Sequence, residues 1–351
     1  MHNKTVIKVL FVVLGVLVVI GGVLIYFAFS KYQEIKTDPA KVFQGIDPIM
    51  APTPENTSTD DNKNEPETSE TAKIVTIDGK QYKQKKEILN ILFLGIDTNK
   101  ERIIEKKGFR SDMVMLCALD IKNNAATLIS IPRDTYTKVS KVDEKTGQVT
   151  GTEMNKINAA YAYGHGKDKY SFQNSIRAVE DFMNIEQDFS LDIRYYAGID
   201  IDGIPKIASA LGGVSVTLEE GFPGIGKVGQ TVTLKGQNAI DFVRERKNVG
   251  GDLGRTRRQQ LFMMAIAKKI QKMGAMQAAP KLFDQVSSFT STNFTVDEVV
   301  GLAMILDKMD VSKIKHITIE GSSTRKDGMY CILADENSIR NAMLETYFDP
   351  A

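Results

Sequence analysis

A run of 21 residues without a charged side chain, residues 9–29, constrains the fold of this chain more than any other feature of its sequence. As a helix, the run is about 31 Å long, which is enough to cross a bilayer core of about 30 Å. A cleaved signal peptide is the alternative, because residues 28–30 loosely resemble a cleavage site, but its apolar region is normally only about 7–15 residues long. The length of the run therefore predicts an uncleaved transmembrane anchor.

The charges around the anchor indicate its orientation only weakly. Lys4 and Lys8 precede the anchor, whereas Lys31, Lys36 and Lys41 follow it, so the positive-inside rule does not decide the topology. Residues 1–8 are too few to form a domain, and the mass of the protein follows the anchor. We expect a cytoplasmic stub of residues 1–8, one membrane span and a C-terminal domain outside the cell.

Residues 30–73 predict an extracellular tether between the anchor and a folded domain. Residues 51–73 carry six acidic side chains, two lysines, three prolines and seven serines or threonines, and alanine is their only apolar residue type. Such a segment buries too little apolar surface to offset the entropy that it would lose on ordering. We expect this acidic segment to be flexible and somewhat extended.

The composition of the chain argues against two broad classes of site. Lys and Arg number 45 and Asp and Glu number 44, a net charge of +1 that argues against a basic nucleic-acid binder. Two cysteines and three histidines, without a CxxC or HExxH motif, argue against a zinc site. Cys117 and Cys331 fall in predicted strands, where buried free thiols are the default and one disulfide is the alternative.

Residues 74–351 show the alternating strand and helix patterns that are typical of an α/β domain. Apolar runs at residues 88–95, 113–119 and 126–132 predict buried strands. Asn123 and Asn124 predict a hairpin between the last two of these strands, and Asp78 with Gly79 predicts an earlier hairpin. Further strands are predicted at residues 195–201, 214–218, 316–320 and 329–333, and helices at residues 172–183, 203–211, 256–273, 296–309 and 335–348. We expect one domain in which helices cover a central sheet.

A glycine-rich segment at residues 221–229 resembles two phosphate-binding motifs but fits neither. Gly226 and Lys227 end a near match to the P-loop that lacks the Ser or Thr needed for magnesium, and residues 224–229 match GxGxxG. Both motifs require a helix to follow, whereas residues 230–236 alternate as a strand does. The segment is interpreted as a hairpin loop.

Charged residues gather at the ends of the first three buried strands. Asp97 ends the first strand, Asp112 lies at the start of the second, and Arg133 and Asp134 follow the third. If the second and third strands form a hairpin and the first runs parallel to the third, these side chains meet at one edge of the sheet, where α/β folds usually bind ligands. Carboxylates there suit a hard cation such as Mg²⁺. A surface ion-pair cluster is the alternative.

A second group of charged residues lies just before the predicted helix at residues 256–273 and in its first turn. Arg255 and Gln259 lie four residues apart, in line with the apolar face of that helix. An arginine in the first turn of a helix opposes the helix dipole unless an anion lies nearby. The group therefore suggests a phosphate or pyrophosphate site, and pairing of these arginines with Glu245 or Asp252 is the alternative.

Lys156 lies in a segment whose asparagines predict the start of a helix. A cap at Asn155 would place Lys156 in the first helical turn. Tyr161 and Tyr163 follow, and we expect them to pack in the core, with the lining of an apolar tunnel as the alternative.

Seven sequence blocks, in order and with matching spacing, resemble the LytR-CpsA-Psr family. They read NILFLGID, FRSD, LISIPRDTY, MNKINAAYAYG, LGGV, LKGQNAIDFVRERK and GDLGRTRRQQ, and they lie within residues 88–275. The resemblance implies a central mixed sheet between helices, an αβα sandwich, preceded by a short stub and one anchor. Met113 departs from the family, which often has Thr after Arg-Ser-Asp, and we expect little effect because this side chain enters a strand.

The resemblance implies a cell-wall phosphotransferase. Such enzymes move a glycopolymer from a polyprenyl-pyrophosphate carrier to peptidoglycan and make a phosphodiester at the 6-hydroxyl of muramic acid, with pyrophosphate hydrolysis as a side activity. Teichoic acid, capsule and secondary wall polysaccharide all remain open as the glycopolymer. The resemblance also implies that the lipid tail lies in an apolar tunnel of the domain.

The resemblance further implies roles for individual residues. Asp97 and Asp112 would hold Mg²⁺ or Mn²⁺, Arg133 would act in catalysis, and Asp112 and Asp134 are the candidates for a general base that stays unassigned. The ligands of the pyrophosphate would be Arg110, Arg133, Lys156, Arg244, Arg246, Arg255 and Gln259.

Two functions other than glycopolymer transfer are alternatives. Members of the family have often been labelled transcriptional attenuators, but the predicted stub has only eight residues and the predicted domain lies across the membrane from DNA. A non-catalytic protein that binds polyprenyl lipids is the stronger alternative. The presence of Asp97, Asp112 and the arginines counts against it.

Overall fold

The computed structural model describes the greater part of residues 74–351 and a short segment before them. The described residues are 39–43, 74–77, 79–97, 109–166, 169–184, 191–200, 203–245, 290–295 and 314–351, with positions 258, 261, 262, 265, 269, 272, 297, 298, 301, 302 and 305. The predicted anchor at residues 9–29 lies outside these ranges. Within them, no helix combines the length and the apolar character needed to cross a bilayer.

The described ranges contain fifteen strands. They are β1 (Ile74–Ile77), β2 (Lys80–Gln84), β3 (Ile88–Asp97), β4 (Arg110–Asp120), β5 (Ala125–Ile131), β6 (Tyr136–Val142), β7 (Val149–Lys156), β8 (Tyr195–Asp200), β9 (Val214–Thr217), β10 (Thr231–Leu234), β11 (Thr290–Thr292), β12 (Ile314–Thr318), β13 (Gly321–Lys326), β14 (Met329–Ala334) and β15 (Phe348–Pro350).

Five α-helices are described over their full length. They are α1 (Ala159–Tyr163), α2 (Lys169–Met183), α3 (Ile204–Ala210), α4 (Gly236–Arg244) and α5 (Glu336–Tyr347). Asp335 caps α5, because its side chain accepts the backbone N–H of Asn337 at 3.0 Å. A short 3-10 helix, Pro39–Val42, precedes the first strand.

The central sheet has six strands in the order β11-β8-β3-β4-β5-β12. Strands β3 and β8 are parallel, as are β5 and β12, whereas the other neighbours are antiparallel. The sheet is therefore mixed, as predicted. Because β4 is antiparallel to both β3 and β5, these two strands run in the same direction. We call the edge at which β3, β5 and β8 end, marked by Asp97, Ile131 and Asp200, the site edge.

The turn between β4 and β5 confirms the hairpin predicted at the asparagine pair. The Asp120 carboxylate accepts the backbone N–H of Asn123 at 2.9 Å, and Asn124 has a positive φ of 47°. Asparagine tolerates this left-handed conformation better than most residues. The hairpin brings the start of β4 beside the end of β5.

Both faces of the sheet are buried, because alternate residues of β3 enter two different clusters. Leu89, Ile91 and Phe93 pack with residues of α3, α4 and the β9–β10 hairpin. Leu92 and Leu94 pack with residues of α1, α2 and α5. The sheet thus lies between two layers of helices, which confirms the predicted α/β class.

The glycine-rich segment at residues 221–229 is a loop between two antiparallel strands, as predicted. Strands β9 and β10 pair with each other, and an isolated bridge joins Phe222 to Gly226 within the loop. The next helix, α4, begins only at Gly236, after β10. No helix N-terminus therefore follows the glycines directly.

The prediction that Lys156 begins a helix is wrong. Lys156 is the last residue of β7, which pairs with β6 in a polar hairpin. Helix α1 begins at Ala159, and Asn158 precedes it without a side-chain capping hydrogen bond. The cross-strand bonds to β6 satisfy the backbone of residues 149–156, so this segment forms a strand although the asparagines favour a cap.

The segment before β1 contributes one residue to the core. Phe43 is 5% exposed and makes an edge-on contact with Tyr195, with 5.8 Å between the ring centroids. Residues 30–73 are predicted to form a tether, but Phe43 is part of the folded domain. Val42 packs against the same core cluster as Phe43.

Candidate functional site

The site edge brings carboxylates from two neighbouring strands together. Asp97, the last residue of β3, lies opposite Arg110, the first residue of β4. Asp200, the last residue of β8, lies beside Ile96 and is 9% exposed. Asp200 is not among the predicted site residues, although the signal that selects Asp97, an acidic residue at the end of a buried strand, also selects it.

Asp112 occupies a β-bulge at the start of β4. Gly95 pairs with Met113, whereas Ile96 pairs with Ser111, so Asp112 is the extra residue on its strand. A bulge bends the strand and changes the direction of the side chains around it. The bulge explains why Asp112 leaves the regular alternation of β4 and reaches Arg133.

Arg133 and Asp134 follow β5 in a turn whose backbone is bonded on two sides. The carbonyl of Arg133 accepts the N–H of Asn158 at 3.3 Å, and the carbonyl of Asp134 accepts the N–H of Ile332 at 2.9 Å. The start of α1 and strand β14 therefore both hold this turn in place. Such support restricts the positions of the two charged side chains.

Four charged side chains form one connected series, which we call the ion-pair chain: Asp112, Arg133, Asp134 and Lys156. Arg133 Nη1 lies 2.8 Å from Asp112 Oδ2, and Arg133 Nε lies 3.7 Å from Asp134 Oδ2. Lys156 Nζ lies 2.8 Å from Asp134 Oδ1. Their side chains are between 9% and 26% exposed, so solvent and salt screen these pairs less than pairs on an open surface.

The ion-pair chain contains two cations that an anion can contact. Arg133 and Lys156 are both cationic, and each is already paired with a carboxylate. A phosphate group accepts bidentate hydrogen bonds from a guanidinium group, so it can compete with Asp112 and Asp134 for these cations. Binding of such an anion would then release carboxylate oxygens beside it.

A second polar cluster supports Lys156 from the β6–β7 hairpin. Glu153 accepts hydrogen bonds from the Tyr163 hydroxyl and from Asn155 Nδ2, the latter at 2.9 Å, and it pairs with Lys141. These hydrogen bonds, that from Lys141 first, lower the pKa of Glu153 to about 2. Burial and the bond to Glu153 raise the pKa of Tyr163. Asn155 also accepts the backbone N–H of Lys156 at 2.8 Å, which fixes the end of β7.

Arg244 is the last residue of α4 and is exposed. Helix α4 begins beside the end of α3, where the N–H of Gly236 donates to the Ser209 hydroxyl at 2.9 Å, and the two helices pack together. The predicted ligands Arg246, Arg255 and Gln259 lie outside the described residues, so their roles stay predictions.

Arg258 is the functional candidate that sequence reasoning missed. It is helical and only 1% exposed. The positions three and four residues later, Leu261 and Phe262, are also buried. This spacing was the available signal, because an arginine at an apolar position of a helix must find buried partners.

Other predicted features lie in the core. Tyr161 is 0% exposed and makes an edge-on contact with Phe172 at 5.2 Å, which confirms the core prediction for this residue, whereas Tyr163 is half-buried. Cys117 and Cys331 are both buried free thiols, which decides against the disulfide alternative. Burial raises the pKa of Cys117 to about 12, so this thiol is not a nucleophile at neutral pH.

Comparison with known proteins identifies the family of this chain. The chain matches the LytR_cpsA_psr family over residues 52–346. It is 31% identical over 297 residues to the polyisoprenyl-teichoic acid–peptidoglycan teichoic acid transferase TagU of Bacillus mycoides, with 83% of this chain and 81% of that protein covered. The crystal structure of B. subtilis TagV is similar with a TM-score of 0.55 and 26% identity, over 75% of this chain and 96% of that one. A structure of TagT bound to LIIa-WTA shares the fold, with a TM-score of 0.53 and 21% identity over 74% of this chain and 89% of that one. This chain is a member of the LytR-CpsA-Psr family.

Proposed function

We propose that this protein is a phosphotransferase that moves a cell-wall glycopolymer from a polyprenyl-pyrophosphate carrier to peptidoglycan. The product is a phosphodiester at the 6-hydroxyl of muramic acid. The observation that carries the proposal is the ion-pair chain, which places Arg133 and Lys156 between carboxylates at the edge of the sheet. Membership of the family and the similarity to a teichoic acid transferase over most of both chains support it.

The reaction breaks one phosphorus–oxygen bond and forms another. The muramic acid hydroxyl oxygen attacks the phosphorus that carries the glycan, and the bond from this phosphorus to the bridging oxygen breaks. Polyprenyl monophosphate leaves with the bonding electrons, and the hydroxyl proton passes to a carboxylate of the protein. Little covalent chemistry is required of the protein, because phosphoryl transfer depends mainly on positioning and on charge stabilisation.

Arg133 and Lys156 would bind the pyrophosphate and stabilise the charge of the leaving phosphate, together with the predicted ligands Arg110 and Arg244. Both Arg133 and Lys156 contact Asp134. A pyrophosphate that takes these cations leaves the Asp134 carboxylate free to accept the hydroxyl proton. We therefore assign Asp134 as the general base and leave Asp112 to the metal.

The carboxylates at the site edge fit Mg²⁺ or Mn²⁺. Within the described ranges, no group of three His, Cys, Asp or Glu side chains converges as a complete metal site. Mg²⁺ is usually bound by only one or two carboxylates and completes its shell with water and substrate phosphates, so Asp97 and Asp112 would suffice. When bound, the ion would neutralise charge on the pyrophosphate oxygens.

We further propose that the protein acts at the outer face of the cell membrane. The uncharged run at residues 9–29 would be its single anchor, with residues 1–8 in the cytoplasm. Because Phe43 packs in the core of the domain, few residues would separate the domain from the anchor, and the catalytic domain would lie close to the membrane that holds the carrier lipid.

The test is transfer by the full-length protein in detergent. The purified protein is mixed with Mg²⁺, a polyprenyl-pyrophosphate-linked glycan and peptidoglycan oligomers, and the joined product is measured by mass spectrometry. We expect product with the wild type, and a loss of at least about 100-fold with Arg133→Ala, which removes the charge from the reacting centre.

A matched arginine variant controls for general damage to the fold. Arg325→Ala removes an exposed arginine from the β13–β14 hairpin and should leave transfer unchanged. If the wild type binds the lipid-linked glycan tightly but no acceptor yields product, the protein is a lipid-binding protein and the transferase proposal is wrong.

A further inference from the structure

Arg258 is a buried arginine whose guanidinium group contacts two separate parts of the fold. Nε donates to the carbonyl of Phe242 at 3.0 Å, and Nη2 donates to the carbonyl of Glu245. Nη1 lies 2.7 Å from Glu220 Oε1, and the guanidinium carbon lies 5.4 Å from the centre of the Phe222 ring. The side chain therefore joins the end of α4 to the loop after β9.

The two carbonyls that Arg258 binds flank Arg244 in sequence. Phe242 precedes Arg244 by two residues, and Glu245, the C-cap residue of α4, follows it directly. The last carbonyls of a helix lack intrahelical partners and carry partial negative charge. A guanidinium group between them satisfies these acceptors and fixes the backbone on both sides of Arg244.

The guanidinium charge of Arg258 loses its hydration when it is buried, so specific contacts with the protein must compensate for that loss. A buried guanidinium is strongly unfavourable unless it is both paired and hydrogen-bonded. Arg258 meets this requirement with one carboxylate, two carbonyls and one aromatic face. Arg244 lies at the same helix end and is exposed, and the backbone that Arg258 binds sets where its side chain begins.

We propose that Arg258 is a positioning residue that holds Arg244 in place to bind the substrate pyrophosphate. The inference rests on the proposed function, in which Arg244 is a pyrophosphate ligand. Arg258 acts through the backbone of residues 242–245 and does not touch the substrate itself. Glu220 and Phe222 share this role, because they orient the guanidinium group of Arg258 from the loop after β9.

Lysine cannot replace Arg258 in this role, although it keeps the charge. The ammonium group is a compact charge without the planar fork that reaches several fixed acceptors at once. Arg258→Lys should therefore release at least one of the two carbonyls and let the end of α4 shift. A displacement of about 1 Å in a binding group can lower the rate by about 100-fold, so we expect kcat/KM for transfer to fall about 10- to 100-fold.

A double-mutant cycle distinguishes positioning from a general effect on the fold. Transfer is measured with full-length wild type, Arg258→Lys, Arg244→Ala and the double variant, under the same conditions. If Arg258 acts through Arg244, Arg258→Lys lowers kcat/KM about 10- to 100-fold in the wild type but less than about threefold when Arg244 is already alanine. Equal losses in both backgrounds would overturn the proposal.

Two further variants complete the test. Arg177→Lys removes a guanidinium hydrogen bond to Asn174 in α2 and should leave kcat/KM unchanged. If Arg258→Lys does not fold, the cycle is measured with Glu220→Gln in its place. The Glu220 side chain is 40% exposed, so this substitution disturbs the fold less. Glu220→Gln should lower kcat/KM about three- to tenfold, again only when Arg244 is present, and an unchanged or background-independent value contradicts the proposal.

The outcomes separate this inference from the proposed function. Transfer by the wild type with additive losses in the cycle overturns the role of Arg258 alone. No transfer by the wild type, or full transfer by Arg244→Ala, overturns the proposed use of Arg244 and the inference with it.

Discussion

The pair between Asp112 and Arg133 should contribute measurable stability, unlike the ion pairs on the open surface of the protein. The two side chains are 9% and 22% exposed, and their charged atoms lie 2.8 Å apart. With charge centres about 4 Å apart and an effective dielectric constant of about 20, their attraction is about 4 kcal/mol before desolvation is subtracted. Desolvation of partly buried charges offsets much of this attraction.

We therefore expect a coupling free energy of about 2 kcal/mol between these residues. Asp112→Asn keeps the shape of the side chain and removes its charge, and Arg133→Met keeps most of the apolar stem of Arg133. In a domain of this size, a loss of about 2 kcal/mol lowers Tm by about 4–8 °C. The coupling is obtained from urea unfolding of the wild type, both single variants and the double variant.

A solvent-exposed pair provides the matched control for this measurement. Lys138 and Asp181 lie 3.5 Å apart, and their side chains are 56% and 37% exposed. Such pairs contribute about 0–1 kcal/mol, so Asp181→Asn should change the free energy of unfolding by less than about 1 kcal/mol. A coupling between Asp112 and Arg133 as small as this control would refute the reasoning that the ion-pair chain is held by partial burial.

Three other outcomes follow from individual residues. Burial raises the pKa of Glu180 from 4.5 to about 7. Between about pH 4.5 and pH 7, the carboxyl group therefore keeps its proton in the folded state but has lost it in the unfolded state. The free energy of unfolding then falls as pH rises through this window. Glu180→Gln should thus raise the free energy of unfolding by about 1–2 kcal/mol at pH 8, after allowance for incomplete burial. At pH 4 it should change this free energy little, and equal effects at the two pH values would contradict the reasoning. Since Cys117 and Cys331 are buried and free, a thiol reagent should label neither in the native protein and both in denaturant without reductant, and failure to label both in denaturant would indicate a disulfide. A methyl group at Gly198 would lie 2.4 Å from the Phe172 ring, so Gly198→Ala should lower the free energy of unfolding by about 1–3 kcal/mol; urea unfolding that matches the wild type would show that the ring moves aside without cost.

The sequence predicts the β3–β4–β5 part of the sheet because each strand there is an apolar run with turn residues between. Asp120 and Asn123 form the turn that their residue types favour. The predicted directions of the three strands are enough to place Asp97, Asp112 and Arg133 at one edge of the sheet. Short-range patterns of this kind need no knowledge of the rest of the chain.

The polar β6–β7 hairpin could not be predicted by the same patterns. Strand β7 has no fully buried residue, and its sequence, VTGTEMNK, lacks the alternation of apolar and polar residues that marks a half-buried strand. Its pairing depends on Tyr136 and the residues after it, which bond to residues up to Lys156 across the hairpin. Local sequence favoured an asparagine cap near Lys156, and tertiary pairing overrode this preference.

Long-range packing also decides the positions that sequence reasoning missed. The bulge at Asp112 depends on the register of β4 against β3, which no local signal specifies. The burial of Arg258 depends on Glu220, 38 residues earlier in the chain. Strand β12 joins the sheet beside β5, although almost 200 residues separate them in sequence.

The most direct test of the central claim is the fate of the two phosphorus atoms of the carrier. ³¹P NMR and mass spectrometry of a reaction with the wild-type protein, a polyprenyl-pyrophosphate-linked glycan and peptidoglycan oligomers give the products and their ratio. The proposed function predicts a glycan–peptidoglycan phosphodiester and polyprenyl monophosphate in equal amounts, both lost in Arg133→Ala. Release of polyprenyl pyrophosphate with a product that contains no phosphorus would contradict the account.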